Sequence, residues 1–329
     1  MLAIRIHETG GPEKLTADSL PLPEPGPGQV RVRIAAVGVN FVEIYHRSGL
    51  YASDLPFTPG GEFAGTVDAV GPGVAGLEPG DRVVTAAGLA GYAEYALAPA
   101  DKTVLLPDSV PFETAAAVFL QGLTAHYLAF STFALKPGDT ALIHAAAGGV
   151  GLLLTQIAKR RGARVLATVS SPEKAAVARQ AGADQVILYT ETDFAAEVER
   201  LAGRRSVDVV YDSVGRTTFE KDLGLLRPRG TLVLCGQSSG PVDPFDPQAL
   251  NRNGSLFLTR PTLGDYIGTR EELLARSKDI FAWTTDSSLK VRIDRRFPLA
   301  EAAGAHAALE SRRTMGKVLL IPTPQTERK

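Results

Sequence analysis

The sequence predicts an α/β protein in which a doubly wound parallel sheet interrupts a β-rich unit. Three observations carry this. From residue 140 onward, short apolar runs alternate with helix-patterned stretches, as repeated strand-helix units of a parallel sheet require. Before about residue 122, strand-like runs are separated by clusters of Pro and Gly, which suits a small, partly closed barrel. Between the first apolar run and the first helix of the alternating region lies Ala145-Ala146-Ala147-Gly148-Gly149-Val150-Gly151, a turn of small residues where an open α/β sheet binds ligands.

In chain order, residues 2–6, 29–36, 65–70, 82–86 and 92–98 read as strands, with turns at 21–28, 59–61, 71–76 and Pro79-Gly80. Residues 112–130 turn helical and alanine-rich and carry the chain into the second unit. There a strand at 140–144 precedes a helix at 150–161, with Val150, Leu153, Leu154, Ile157 and Ala158 on one face. The strand at 164–169 leads to a helix at 172–181, and that at 185–189 to a helix at 193–202. Runs at 207–211, 219–226 and 231–235 continue the series, and 255–259 closes the sheet. After about Gly264, a helix at 270–284 and the stretch 291–329, with a strand at 317–321, return to the first unit. The expected domains are 1–122 with 265–329, and 123–264.

Composition narrows the functional classes. With 329 residues, 44% hydrophobic and 22% charged, the chain can bury two substantial cores and gives no sign of disorder. A net charge of -1 offers no global electrostatic case for nucleic acid or an anionic membrane. The single Cys235 rules out an internal disulfide and a multi-cysteine zinc site, which suits a reducing compartment. The N-terminal residues alternate like a strand and lack the apolar core of a signal peptide, so the cytoplasm is the expected location. The most apolar stretch, 140–157, is interrupted by His144 and the glycine pair and is a poor membrane span.

The turn at 145–151 has the makings of a pyrophosphate site. Glycines at 148, 149 and 151 let the backbone turn tightly and approach a ligand, and the N–H groups opening the next helix present a positive dipole end to an anion. Gly149 and Val150 are placed for main-chain contact, flanked by Gly148 and Gly151. The fingerprint G-x-G-x-x-G is incomplete, because Ala146 stands at its first position, and a small-residue turn also serves tight packing. The repeated strand-helix context decides for a dinucleotide. An NAD-preferring site has an acidic residue at the end of the second strand, about 20 positions on, to bond the ribose 2′-hydroxyl. Here that place reads Ala167-Thr168-Val169-Ser170-Ser171. Ser170, Ser171 and Lys174 can cradle a 2′-phosphate, which favours NADPH. The plainer alternative is that a serine caps the helix at Pro172 and Lys174 is a solvated charge; both can hold together.

Several stretches together carry a resemblance. Gly38-Val39-Asn40-Phe41, Arg47-Ser48-Gly49-Leu50-Tyr51, Pro59-Gly60-Gly61-Glu62-Phe63-Ala64-Gly65, Gly80-Asp81-Arg82-Val83, the run at 145–151 and Tyr211-Asp212-Ser213-Val214-Gly215 resemble the medium-chain dehydrogenase/reductase superfamily over essentially the whole chain. Within it the chain is similar to the zinc-free quinone oxidoreductases of the zeta-crystallin type, whose triple-alanine glycine loop it matches. The resemblance implies a Rossmann domain and a discontinuous GroES-like catalytic domain. It also implies NADPH-dependent reduction of a quinone. Where the zinc alcohol dehydrogenases carry cysteine and histidine ligands, this chain has Asn40 and Gly61, neither a usual zinc ligand. Glu62 is left as a lone carboxylate, and His7, His46, His126, His144 and His306 are scattered and read as surface or strand histidines.

Without a metal, chemistry that localises charge on one oxygen loses its Lewis acid, whereas a quinone or a conjugated alkene spreads the incoming charge itself. By the same resemblance Asn40, Tyr45, Tyr51 and Tyr127 line the cleft near the nicotinamide, with Asn40 and Tyr45 as catalytic hydrogen-bond donors to an oxyanion, and Gln121 falls near the remaining zinc-ligand position. Asn40 equally suits the cap of a helix at Phe41, the tyrosines suit packing, and Gln121 suits the connecting helix. The resemblance adds Tyr189 beside the adenosine, the loop Gly236-Gln237-Ser238, and Arg312, whose neighbour Arg313 suits the same part. An enone or 2-alkenal reductase is the nearest alternative, and a non-catalytic NADPH-binding structural or RNA-binding role is the more distant one. The apolar run at 254–260 is a candidate edge strand for a homodimer.

Overall fold

The computed structural model describes residues 1–322. It forms two compact units, one of Met1–Gln121 with the chain from Arg270 onward, the other of Gly122–Thr269. Residues 323–329 of the expected returning segment lie outside the described residues.

The first unit opens with β1 (Leu2–Ile6) and β2 (Leu15–Ser19), an antiparallel pair. It continues through β3 (Gln29–Val39), α1 (Phe41–Arg47), β4 (Phe63–Val70), β5 (Arg82–Thr85), β6 (Tyr95–Pro99), β7 (Thr103–Leu105) and the start of α2 (Phe112–Tyr127). Strand β3 shows why this unit is layered. Val30, Val32 and Ile34 are buried while Arg33 between them is exposed, the period of a half-buried strand; from Ala36 to Val39 every residue is buried. A single turn of π-helix, Leu128–Thr132, follows α2.

The second unit alternates β8 (Thr140–Ile143), α3 (Gly149–Arg160), β9 (Arg164–Val169), α4 (Pro172–Gln180), β10 (Gln185–Leu188), α5 (Phe194–Ala202), β11 (Val207–Asp212), α6 (Phe219–Leu225), β12 (Leu226–Leu234), α7 (Gln248–Arg252), β13 (Phe257–Thr259) and α8 (Leu263–Tyr266). Every pairing in its sheet is parallel, in the order β10-β9-β8-β11-β12-β13. Successive strands are added on one side of β8 up to β10 and on the other from β11. The C-terminal end of β8 is therefore the topological switch point at which a doubly wound sheet binds ligands. Leu142, Leu166, Val210, Phe219 and Leu232 lie in the core around this sheet.

The chain then returns to the first unit as α9 (Arg270–Thr285), β14 (Ile293–Pro298), α10 (Ala302–Glu310) and β15 (Lys317–Ile321). Strand β15 pairs antiparallel with β3, giving the sheet β14-β15-β3-β4-β5-β7, with β6 paired to β3 off that path. Its Leu320 joins Val32, Val37 and Phe63 in the core of this unit. Strands β2, β7 and β14 and helices α7, α8 and α10 are additions to the elements expected from sequence.

Candidate functional site

The turn after β8 is built by steric necessity. Ala145 is in the left-handed region at φ 49°, and its carbonyl accepts from Gly148 N–H at 2.9 Å. Buried Ala146 anchors the turn to the neighbouring strand by donating its N–H to Thr168 carbonyl at 3.2 Å. A Cβ on Gly151 would lie 2.5 Å from Ala145 carbonyl oxygen and 2.7 Å from Ala146 Cα, so α3 packs against the turn more closely than a side chain allows. Gly148 is the N-cap of α3 and supplies no side-chain acceptor. The first-turn N–H groups of Gly149, Val150 and Gly151 thus open a buried, twelve-residue helix with no cap oxygen from the N-cap residue, as an incoming phosphate requires.

The residues assigned to the adenosine end gather at the neighbouring strand ends. Ser171 is the N-cap of α4 and accepts from Lys174 N–H at 3.4 Å, so the capping reading holds for its hydroxyl. Tyr189, exposed, donates its N–H to Val169 carbonyl at 3.2 Å, and Thr190 Oγ1 donates to Ser170 carbonyl at 3.2 Å. This brings Tyr189 beside Ser170 and Ser171. The loop Gly236-Gln237-Ser238 follows β12 and lies on the loop after β11, where Ser238 N–H meets Ser213 carbonyl at 3.2 Å. Buried Asp212 orders that loop by accepting from Val214 and Gly215 N–H at 2.7 and 3.0 Å and from Thr218 Oγ1 at 2.8 Å. Arg312 belongs to the first unit, exposed and at φ 56°.

A buried polar cluster occupies the first unit around Asn40. Its extended backbone makes it the N-cap of α1, and Glu43 accepts its N–H at 2.7 Å. The side chain turns into the protein. Nδ2 donates to Glu62 Oε2 at 2.9 Å and to Gly38 carbonyl at 3.2 Å, while Oδ1 accepts from Lys317 Nζ at 2.7 Å and Gln121 Nε2 at 3.4 Å. Lys317 also donates to Glu62 Oε2 at 2.5 Å, and Leu120 N–H to Glu62 Oε1 at 2.7 Å. Glu62 is 0% and Lys317 1% exposed. A Cβ at Gly38 would fall 2.2 Å from Glu62 Oε2, so glycine makes room for the carboxylate. Both amide hydrogens of Asn40 are engaged inside the protein, and a bond from it to a substrate oxyanion requires one of them to open.

Sequence reasoning missed Lys317. The available signal was Glu62, an acid between glycine and phenylalanine in a run that has to be buried, which calls for a cation.

Glu43 lies under this cluster, and burial chiefly pushes its carboxyl up to about 7; Lys317 and the backbone N–H groups of Asn40 and of Glu43 itself act in the opposite direction, and Glu62 adds to the rise. At this group the folded protein therefore binds more protons than the unfolded chain between about pH 4.5 and 7, and the contribution of Glu43 to stability falls as pH rises through that window. Glu43→Gln keeps an acceptor for Asn40 N–H but cannot ionise. It is expected to stabilise the protein relative to wild type by about 2 kcal/mol at about pH 8 and by much less at about pH 5, a difference that urea unfolding of both proteins at the two pH values measures.

The tyrosines divide between the units. Tyr45, on α1, packs against Phe41 at a ring separation of 6.2 Å and edge-on to Tyr51 at 5.2 Å, and Tyr51 N–H donates to Tyr45 carbonyl at 3.0 Å. Together they make a half-buried aromatic patch on and just after the helix that Asn40 caps. Tyr127 belongs to the second unit, 2% exposed and stacked on Tyr266 at 4.1 Å.

A barrel-like unit with a buried polar cluster and a doubly wound unit with a glycine turn at its switch point match the nicotinamide-dinucleotide oxidoreductases of the medium-chain dehydrogenase/reductase class. Family models match both parts, the alcohol dehydrogenase GroES-like domain over residues 26–108 and zinc-binding dehydrogenase over residues 149–275. A quinone oxidoreductase of Pseudomonas aeruginosa is 48% identical over 315 residues, covering 95% of this chain and 97% of the relative. A 2-haloacrylate reductase of a Burkholderia species is 41% identical over 98% of this chain and 99% of its own. The crystal structure of Escherichia coli quinone oxidoreductase complexed with NADPH superimposes with a TM-score of 0.96 at 44% identity, covering 98% of this chain and 100% of that one. The chain belongs to the zinc-free quinone oxidoreductases of the medium-chain dehydrogenase/reductase superfamily.

The name of one family model raises the question of zinc, and the donors answer it. Asn40 presents an amide committed to four partners, Gly61 has no side chain, and the nearest carboxylate, Glu62, is neutralised by an ammonium 2.5 Å away. Placing a dication beside Lys317 would add like-charge repulsion to a set with no imidazole or thiolate. Among the described residues no group of three His, Cys, Asp or Glu side chains is arranged to hold a metal ion.

Proposed function

We propose that the protein is an NADPH-dependent quinone reductase that works without a metal, converting a quinone, NADPH and a proton to hydroquinone and NADP+. The observation that carries this reading is the cluster at Asn40. Where a Lewis acid would act, the chain has a closed Lys-Glu-Asn network, so the acceptor has to delocalise its own reduced charge, as a quinone does. NADPH, when bound, supplies the hydride. The chain's part is to hold the pyrophosphate on the N–H groups of Gly149, Val150 and Gly151 and the 2′-phosphate near Ser170, Ser171 and Lys174, where β9 ends without an acid at residues 167–171. Support for the 2′-phosphate comes from the E. coli relative, whose structure holds NADPH. Tyr189, the loop Gly236-Gln237-Ser238 and Arg312 complete the proposed cofactor contacts, with Tyr45, Tyr51, Tyr127 and Gln121 on the acceptor side. The Burkholderia relative, by name a reductase of an activated alkene, favours a second reading in which a conjugated alkene takes the quinone's place.

NADPH oxidation followed with ortho- and para-quinones, 2-alkenals and 2-haloacrylate, with and without a chelator and again with NADH, tests these readings. Quinone turnover that survives chelation is the expected result; activity lost in chelator sinks the metal-free mechanism. Alkene reduction without quinone reduction transfers the function to the second reading. Equal efficiency with NADH removes the role given to Lys174.

A homodimer is part of the proposal. Strand β13 is an edge of the six-stranded sheet, and its Phe257 is 61% exposed, so an unpaired apolar edge is open to a second copy across a two-fold axis. Light scattering on a sizing column is expected to give twice the mass of the chain, and Phe257→Lys to shift it to monomer; a wild-type monomer at micromolar concentration ends this proposal. We also place the protein in the cytoplasm, on the strength of its single cysteine. Among the described residues no helix is long and apolar enough to cross a membrane.

A further inference from the structure

Lys317 opens a strand whose other residues are all apolar, yet it is one of the most deeply buried side chains of the molecule. A buried ammonium is costly unless its hydrogens are taken up. Here two of the three go to Glu62 Oε2 and Asn40 Oδ1, and the same Glu62 oxygen accepts from Asn40 Nδ2. The three groups form a closed triangle, and it has a direction. An ammonium only donates, so the Asn40 atom facing it has to be the carbonyl oxygen, and Nδ2 is left to face Glu62 and Gly38 carbonyl. Gln121 then meets Asn40 Oδ1 through Nε2, which turns its own carbonyl away. Among the described residues Gln121 Oε1 is buried without a hydrogen-bond partner, an open acceptor beside the triangle. The triangle also joins four elements: β15 through Lys317, the N-cap of α1 through Asn40, the start of β4 through Glu62, and α2 through Leu120 N–H.

We propose that Lys317 is a positioning residue for the acceptor site: by holding Asn40 Oδ1 and Glu62 Oε2 on one ammonium, it fixes the orientation of the Asn40 and Gln121 amides and of the first turn of α1, which leads to Tyr45. The inference rests on the quinone-reductase reading. It assigns to a protein cation the fixed positive charge that a metal would otherwise bring to this place, held back from the acceptor and acting through amides.

Lys317→Met alone strands the Glu62 charge in the interior and risks unfolding, so the decisive variant is the double Lys317→Met with Glu62→Gln, which removes both charges together. Wild-type quinone turnover is measured first; its absence would defeat the quinone-reductase reading, separately from this inference. Where wild type turns over, the double variant is expected to fold, to bind NADPH as wild type does, and to lose about ten- to a hundredfold in kcat. Adding Asn40→Ala is expected to cause little further loss, because Lys317 acts through Asn40. A folded double variant with wild-type kcat and KM overturns the proposal, and so does a fully multiplicative loss on adding Asn40→Ala. If the double variant does not fold, Lys317→Arg carries the test, since it keeps the charge and changes the donor geometry: reduced kcat at an unchanged melting temperature supports positioning, and unchanged kcat overturns it.

Discussion

Replacing Gly151 with valine is expected to abolish useful NADPH binding, raising Kd by at least about a hundredfold, or about 3 kcal/mol. The atoms a side chain would meet are all backbone: Ala145 carbonyl oxygen at 2.5 Å, Ala146 Cα at 2.7 Å and Ala146 carbonyl carbon at 3.0 Å. No rotamer change relieves such a clash, so α3 has to move away from the turn and take its first-turn N–H groups off the proposed pyrophosphate position. The same displacement costs about 1–3 kcal/mol of stability as overpacking. Gly148→Ala provides the graded control. A Cβ there meets only Ala145 carbonyl oxygen at 3.2 Å, and the backbone at φ -77° is open to any residue, so affinity is expected to fall far less. Titration of NADPH fluorescence with both variants, alongside thermal scans that show them folded, decides the matter. A Gly151→Val protein that binds as wild type would show that the close approach is not what presents the anion site, and a larger effect at Gly148 would invert the steric order.

How far residues can be read before a structure depends on the range over which they find their partners. The strand-helix alternation from β8 to β12 is local in sequence, its strands are apolar runs, and its turns carry glycine, so the doubly wound sheet follows from pattern. Strand β14 does not. Its residues Ile293-Asp294-Arg295-Arg296-Phe297-Pro298 have neither an apolar run nor alternation, and it is a strand because β15 pairs beside it at a sheet edge. Strand β2 is similar, polar along most of its length and fixed by register with β1. The histidines also depend on distant partners. His126 and His306, which look like surface or strand residues, are buried on α2 and α10. In the candidate site, helix capping at Asn40 is visible from the Asn-Phe-Val-Glu spacing alone. What Asn40 does with its side chain is not, because Lys317 lies 277 positions away in the chain. No local pattern says whether a lysine at the head of an apolar strand faces solvent or a buried acid.

His144→Ala is expected to destabilise the second unit by about 3–5 kcal/mol, because it removes one partner of a buried ion pair and leaves the other. His144 follows β8 and immediately precedes Ala145. Its Nε2 meets Asp222 Oδ1 at 2.9 Å and its Nδ1 meets Thr168 Oγ1 at 2.8 Å, with both pair members no more than 3% exposed. Burial opposes charge on the imidazole, but Asp222, with help from Asp212, more than offsets it and the His144 pKa is raised. Burial, with the neighbouring Asp212 carboxylate adding to the rise, pushes Asp222 up to about 6 against the pull of His144. Without the imidazole that carboxyl is either ionised in the interior or held protonated far from its ordinary range, and each state costs folding free energy. Asp222→Asn leaves no charge behind, keeps an acceptor for Nε2–H, and is expected to cost clearly less. The turn feels the difference, because Thr168, bonded by its side chain to His144, is also the residue whose carbonyl accepts Ala146 N–H. NADPH should therefore raise the melting temperature of His144→Ala by less than it raises that of wild type, since a ligand at free concentration L stabilises the folded state by RT ln(1 + L/Kd), which shrinks as Kd rises. Equal NADPH-induced shifts in the two proteins would confine His144 to stability alone, and a loss no greater than that of Asp222→Asn would remove the buried-charge argument itself.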